Sequence, residues 1–305
     1  MLELIFDVMN STPPSKPEFR IKTMAKNDTE ELLRTKDGSN GEYKWASIPN
    51  TDLEGANLEG ANFQGADLSG INLKKANLSR AQLSKANLKG ANLSGAILND
   101  TILKNTNLLN TDFSNSTAIS AVFSGANIQD SNFNAAELSR ADFSSTDLTN
   151  TTFNEAVLMG VDMVEAKLKN SSSKNAELSY ANLSRSNLEN ANLESSTSLR
   201  INLSFSNLNN ANLKNADLKG ANFTYATCIN TELTNANLKD SDSKEVDFNS
   251  ANLKNANFEN ADLKGANFTE SNLKGIKLKG AKLNGTSLER KPKEEDSDNE
   301  ITNAN

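Results

Sequence analysis

Carboxylates, lysines, carboxamides and one thiol, Cys228, are the main groups in this sequence that could support chemistry, because its 305 residues include no histidine. Without imidazole there is no histidine-based triad, no histidine general base and no histidine metal ligand. One cysteine supplies neither a disulfide nor a thiolate-rich metal cage within the chain. The 39 Asp and Glu residues could pair for general acid–base work or gather round a hard cation. Their spacing argues against both uses. They follow a five-residue register without any dedicated binding loop, which spreads them into solvated columns. The glycines keep the same register and form no phosphate-cradling run. Expected catalytic residues, cofactors and metal ligands are therefore none.

That register is what positions every side chain. Every fifth residue from Leu53 to Leu288 gives 48 centres, of which 31 are Leu, 10 Phe, one Ile (Ile128) and one Met (Met163). Ala118, Ser173, Ser198, Cys228 and Ser243 are the small exceptions. Two residues before each centre stand 27 Ala, 8 Thr, 8 Ser and five Ile or Val. The residue between is usually Asn or Asp, so each triplet reads in, out, in, the alternation of a short strand with one buried face. All thirteen glycines between 51 and 290 fall two residues after a centre, and Asn takes that place thirteen times more. Both residue types tolerate positive φ, which marks a tight corner. No proline interrupts residues 51–290.

A three-residue strand and a corner, repeated, make a coil that cannot stand alone. If four pentapeptides form one coil, its four large side chains contribute roughly 6–12 kcal/mol on burial. Ordering twenty residues costs about 1–2 kcal/mol each. Stacked neighbours must supply the rest. Composition agrees: 36% hydrophobic and 6% aromatic content is thin for an ordinary globular core. The formal charge of −7 points to neither nucleic-acid binding nor disorder. Apolar runs such as Leu4-Ile5-Phe6 are too short for a membrane span or a signal peptide, so the expectation is a cytoplasmic protein away from membranes.

The run Ala56-Asn57-Leu58-Glu59-Gly60-Ala61-Asn62-Phe63-Gln64-Gly65-Ala66-Asp67-Leu68 resembles the A-(N/D)-L-x-x motif of the pentapeptide-repeat family, cyanobacterial type, and the match spans 240 of 305 residues. The resemblance implies an all-β fold, a right-handed quadrilateral β-helix with four pentapeptides per turn. It would have about 12 coils and, at ~4.8 Å per coil, a length of about 55–60 Å. Most family members have no known enzymatic activity and act by binding proteins. Some resemble duplex DNA and protect gyrase, and cyanobacterial members are linked to heterocyst signalling.

Four units per turn place centres twenty apart on one face. Phe63, Phe123, Phe143 and Phe223 then share a face, opposite Phe113, Phe133 and Phe153. On a third face, with centres Ala118 and Ser198, the outward positions include Ile97, Ile119, Val157, Met159 and Leu199, which form a candidate partner stripe. Lys174, Lys214, Lys254 and Lys274 form a candidate basic column on another face. The small centres read as local repacking.

The ends depart from the repeat. Residues 1–26 read as a flexible arm, with Met24 as an alternative start, and 27–50 as a capping helix plus lead-in. In the latter, Leu32, Leu33, Tyr43 and Trp45 would cover the first coil, with Ala46-Ser47-Ile48 as a degenerate repeat. The β-helix is expected over 51–290. Residues 291–305 read as a disordered acidic tail. The functional expectation is a non-catalytic rod with an as yet unidentified protein partner, and homodimerisation through the C-terminal coil is a further expectation. The alternative is a DNA mimic that binds a type II topoisomerase. Charge counts against it, since residues 51–290 hold 26 acids and 23 bases.

Overall fold

Each pentapeptide has five backbone N–H groups that need partners. The computed structural model describes residues 29–290 and shows where all five go. In the unit around Leu213, the centre donates to Glu232 O at 2.7 Å and the corner residue Asn215 to Thr234 O at 3.0 Å, both in the next coil. Asn212 donates back to Ala191 O of the previous coil at 2.8 Å, and Ala211 closes the turn on Leu208 O at 2.9 Å. The fifth donor, Lys214 N–H, is taken by the side chain of Asn212 at 3.1 Å. This last bond explains why Asn and Asp dominate the position before each centre: a short side-chain acceptor reaches the N–H two residues on most readily, although Glu137, Glu177 and Glu232 also make it. Where that residue is not Asn or Asp, the coil before can substitute, as Asn99 Oδ1 does for Ile119 N–H at 3.0 Å in the unit whose outward residue is Thr117.

Single-residue parallel bridges pair each outward residue with the one twenty positions on, unbroken from Asp37↔Asn57 to Asp262↔Lys282. Every fifth residue from Asn40 to Gly285 has positive φ. Four bridges and four corners per twenty residues make a four-sided coil. The corner is the third residue of a β-turn, where positive φ is the type II requirement. Arg80, Ala135, Tyr180 and Phe205 all adopt it, but no β-branched residue does, as side-chain crowding dictates.

The core is the file of centres. Phe133 stacks on Phe113 at 4.4 Å and on Phe153 at 5.1 Å. It meets Phe123 and Phe143 from the opposite face edge-on at 5.9 and 5.8 Å. Ala118 is the centre between Phe113 and Phe123, which touch at 5.9 Å and already fill that cross-section. Cys228 and Ser243 each have one phenylalanine neighbour among the centres, Phe223 and Phe248, with a leucine on the other side. Ser198 Oγ lies 2.9 Å from Ser196 Oγ; nothing in the structure explains why Ser173 is small. Buried threonines before the centres, Thr286 excepted, are satisfied through carbonyls of the coil below, as with Thr101 Oγ1 to Leu78 O at 2.7 Å.

The helix α1, residues 29–35, ends where Lys36 takes φ 55°. Coil stacking starts directly after it, at Asp37, so 36–50 follows the same register with Tyr43 and Ile48 as buried centres. Tyr43 stacks on Phe63 at 4.7 Å. Leu32 is fully buried, but Leu33 is 44% and Trp45 64% exposed, so these two do not cover the first coil as expected. The reason is register: Trp45 falls two residues after a centre, at a corner, where side chains leave the rod. At the other end a 3₁₀ turn, Ser287–Arg290, folds over the last coil, and Phe268 N–H donates to Ser287 Oγ at 2.7 Å. Continued in register, the next backward donor would be residue 292, a proline with no N–H. The expected arm (1–26) and tail (291–305) lie outside the described residues.

Candidate functional site

With every pentapeptide spent on the same backbone scaffold, what distinguishes one part of the rod from another is its outward side chains. Ile97 and Val157 belong to one ladder, Ile97↔Thr117↔Glu137↔Val157↔Glu177↔Thr197, immediately before the centres. Ile119, Met159 and Leu199 follow the centres of the same coils or their neighbours. The structure therefore brings all five to one face. Ile97 is 42% and Met159 46% exposed, while Ile119, Val157 and Leu199 are half-buried. Next to Leu199 a surface depression lined by Tyr180, Arg200, Lys219, Gly220 and Asp240 extends the stripe.

The lysine column is less uniform. Lys174 pairs with Glu194 at 3.1 Å, and Glu194 and Thr234 interrupt the row. Partial burial raises the Glu232 carboxyl. Hydrogen bonds from Thr234 and Asn252 and the nearby charge of Lys214 outweigh that and hold it below its usual range. Lys254 and Lys274 are exposed and form no ion pair among the described residues. The free positive charge of the column thus sits at its C-terminal end.

Three exposed aromatics were not singled out from sequence. Tyr180, Phe205 and Tyr225 are 58%, 57% and 54% exposed, and Phe205 stacks on Tyr225 at 5.2 Å across successive coils. Their signal was available: each stands two residues after a centre, in a register that over residues 51–290 is otherwise filled by Gly, Asn, small or charged residues.

Chemistry of the reactive groups is limited by where the register puts them. Cys228 is fully buried, and desolvation, with the charge of Asp247 adding to it, pushes its thiol far above the ordinary value, so it stays protonated. Among the described residues no group of three or more His, Cys, Asp or Glu side chains could hold a metal ion. None of the described helices is long and apolar enough to cross a membrane.

A model described as pentapeptide repeats matches residues 44–74, 61–100 and 98–134, and one described as a pentapeptide repeat region matches 126–203 and 211–288. A search of curated proteins found no match. Among solved structures the chain is similar to HetL, a pentapeptide repeat protein involved in heterocyst differentiation regulation from the cyanobacterium Nostoc sp. strain PCC 7120. The identity is 26%, over 85% of this chain and 94% of that one, with a TM-score of 0.30. It is also similar to full-length QnrB1, a plasmid-mediated fluoroquinolone resistance protein, at 19% identity over 64% and 84% of the two chains (TM-score 0.35). A third similar structure is Rfr23 from the cyanobacterium Cyanothece 51142, at 21% identity over 49% and 99% (TM-score 0.20).

Proposed function

Because the chain belongs to the pentapeptide-repeat family, we propose that it is a non-catalytic protein-interaction rod, a right-handed β-helix of about twelve coils whose stacking begins at Asp37. One observation carries the reading: Ile97, Ile119, Val157, Met159 and Leu199 put five apolar side chains on one face at outward places that the repeat mostly fills with polar residues, against three on the next face (Ile102, Val122, Val164) and two on another (Leu109, Ile229). Apolar side chains gathered on one face of a rigid surface are the signature of a contact site rather than of scattered surface hydrophobes. The lysines at 254 and 274 offer a second, electrostatic contact for an acidic partner. DNA mimicry is disfavoured by charge, because residues 201–290 hold 11 bases against 10 acids and offer no acidic face along that length.

Capture from native lysate tests the reading. The wild-type rod is expected to retain a partner that the triple variant Ile119→Asn, Val157→Asn, Met159→Asn loses, with both proteins showing the same circular dichroism. Recovery of the same proteins by both would count against the stripe.

A further inference from the structure

The stripe has an internal period that names its occupant. Along the column after the centres the residues are Ile119, Ser139, Met159, Ser179 and Leu199, so large apolar and small polar side chains alternate coil by coil. Ser179 is buried and Ser139 half-buried, so the small side chains stand lower on the face than the large ones between which they lie. At one coil per ~4.8 Å the large residues recur every ~9.6 Å. In an α-helix, residues seven apart lie ~10.5 Å apart, and those three or four apart fall midway between them. A helix tilted by about 20–25° to the rod axis projects that repeat onto ~9.6 Å. Its side chains seven apart would meet Ile119, Met159 and Leu199, while the intervening ones would pack over Ser139 and Ser179.

Charge flanks the column on both sides. Glu137 and Glu177 stand two coils apart in the ladder before the centres, each held in place by accepting the N–H of Ser139 or Ser179 at 3.0 and 2.9 Å. On the corner side stand Arg140 and Arg200, and each runs its stem beside a glycine of the next coil, Gly160 or Gly220. None of these four forms an ion pair among the described residues. Some charges on the same face beyond the stripe do pair: Arg80 with Glu59, and Lys239 with Glu259 at 3.4 Å. Asp217, Lys219, Asp240, Lys277 and Lys279, farther along the same face, also form no ion pair among the described residues; what sets the 137–200 stretch apart is that its unpaired charges flank the apolar column with one sign on each side.

Resting on the reading of this chain as an interaction rod, we propose that the 97–200 face is a docking groove for one amphipathic α-helix. That helix has apolar residues at seven-residue spacing, a basic flank facing Glu137 and Glu177, and an acidic flank facing Arg140 and Arg200. An extended strand does not fit, because its residues three apart span about 10 Å but point to opposite sides. A polyproline helix repeats every ~9.3 Å but has nothing to pack over the two serines.

The test uses the full chain and defined peptides of about 21 residues, or six helical turns. One carries Leu at every seventh position with the stated flanks, one has the same composition with Leu at every fifth, and one is a polyproline peptide with Leu at every third. Fluorescence anisotropy should show the seven-spaced peptide binding about tenfold tighter than both others. That advantage should vanish in Met159→Asp. In Ser139→Leu, which makes the face more apolar but raises one of its low positions, binding should weaken by a similar factor. Equal binding of the three peptides, preference for the polyproline peptide, or tighter binding by Ser139→Leu would each overturn the helix proposal. Partner capture dependent on the stripe, seen without the seven-residue preference, would overturn it too and leave the interaction rod standing.

Discussion

Phe133→Ala is expected to lower the free energy of unfolding by about 3–5 kcal/mol, the range for emptying a buried phenylalanine site. The ring is fully buried and sits at the middle of a stack, with Phe113 and Phe153 above and below at 4.4 and 5.1 Å. Its edges also meet Phe123 and Phe143 from across the coil. The surrounding backbone is fixed by the ladder on both sides, so the cavity cannot collapse. Phe133→Leu should cost much less, because Leu is the usual centre and most coils close around it. Leu288→Ala at the open end, where the side chain is only partly buried, should cost least of the three. Urea unfolding followed by circular dichroism reads the order. A loss below about 1 kcal/mol for Phe133→Ala would show that the stack is not tightly packed.

Proline should discriminate between two residues of the same pentapeptide. Asn182 donates its N–H to Val161 O at 2.9 Å, and its Oδ1 accepts from Ser184 N–H at 3.3 Å and from Asn202 Nδ2 at 3.0 Å. Asn182→Pro removes all three. Leaving buried backbone groups without partners costs about 1–3 kcal/mol each, so the loss should be on the order of 2–6 kcal/mol. Because neighbouring coils stabilise one another in series, hydrogen exchange should accelerate around 161–163 and 201–203 before it does at the ends. Ser184→Pro, two residues on, should be nearly neutral: its N–H serves only the local bond to Asn182, and it is the second residue of a type II turn, where proline is favoured. Equal destabilisation by both substitutions would contradict the hydrogen-bond assignment.

These predictions show why so much of the rod could be read from the chain. Most pentapeptides satisfy the same four backbone donors in the same way and many the fifth through the outward side chain, so residue type and position are locked together: apolar at the centre, carboxamide before it, a φ-tolerant residue at the corner. The lead-in was harder to read because Gly38 occupies a centre position and Tyr43 stands where Leu is usual, although both obey the ladder. Trp45 was misassigned for the opposite reason. A lone tryptophan suggests a cap, but its register puts it at a corner. The exposed aromatics were missed because positive φ is commonly associated with glycine and asparagine. Phe205 and Tyr225 show that an unbranched Cβ is sufficient there. The alternation of Ile119, Ser139, Met159, Ser179 and Leu199 was present in the sequence, but its meaning depends on coil spacing and on which charges stay unpaired.

The docking face depends on the twenty-residue register that stacks these five residues in one column, and disulfide formation measures that register directly. In a Cys228→Ser background, cysteines at 139 and 159 occupy adjacent coils, with Cα atoms about 4.8 Å apart, inside the ~4.4–6.8 Å range that a disulfide spans. Ser139→Cys with Met159→Cys should therefore close under mild oxidation. Ser139→Cys with Ser179→Cys, two coils and about 9.6 Å apart, should stay reduced. Closure of the second pair in preference to the first would contradict the register, and with it the docking face.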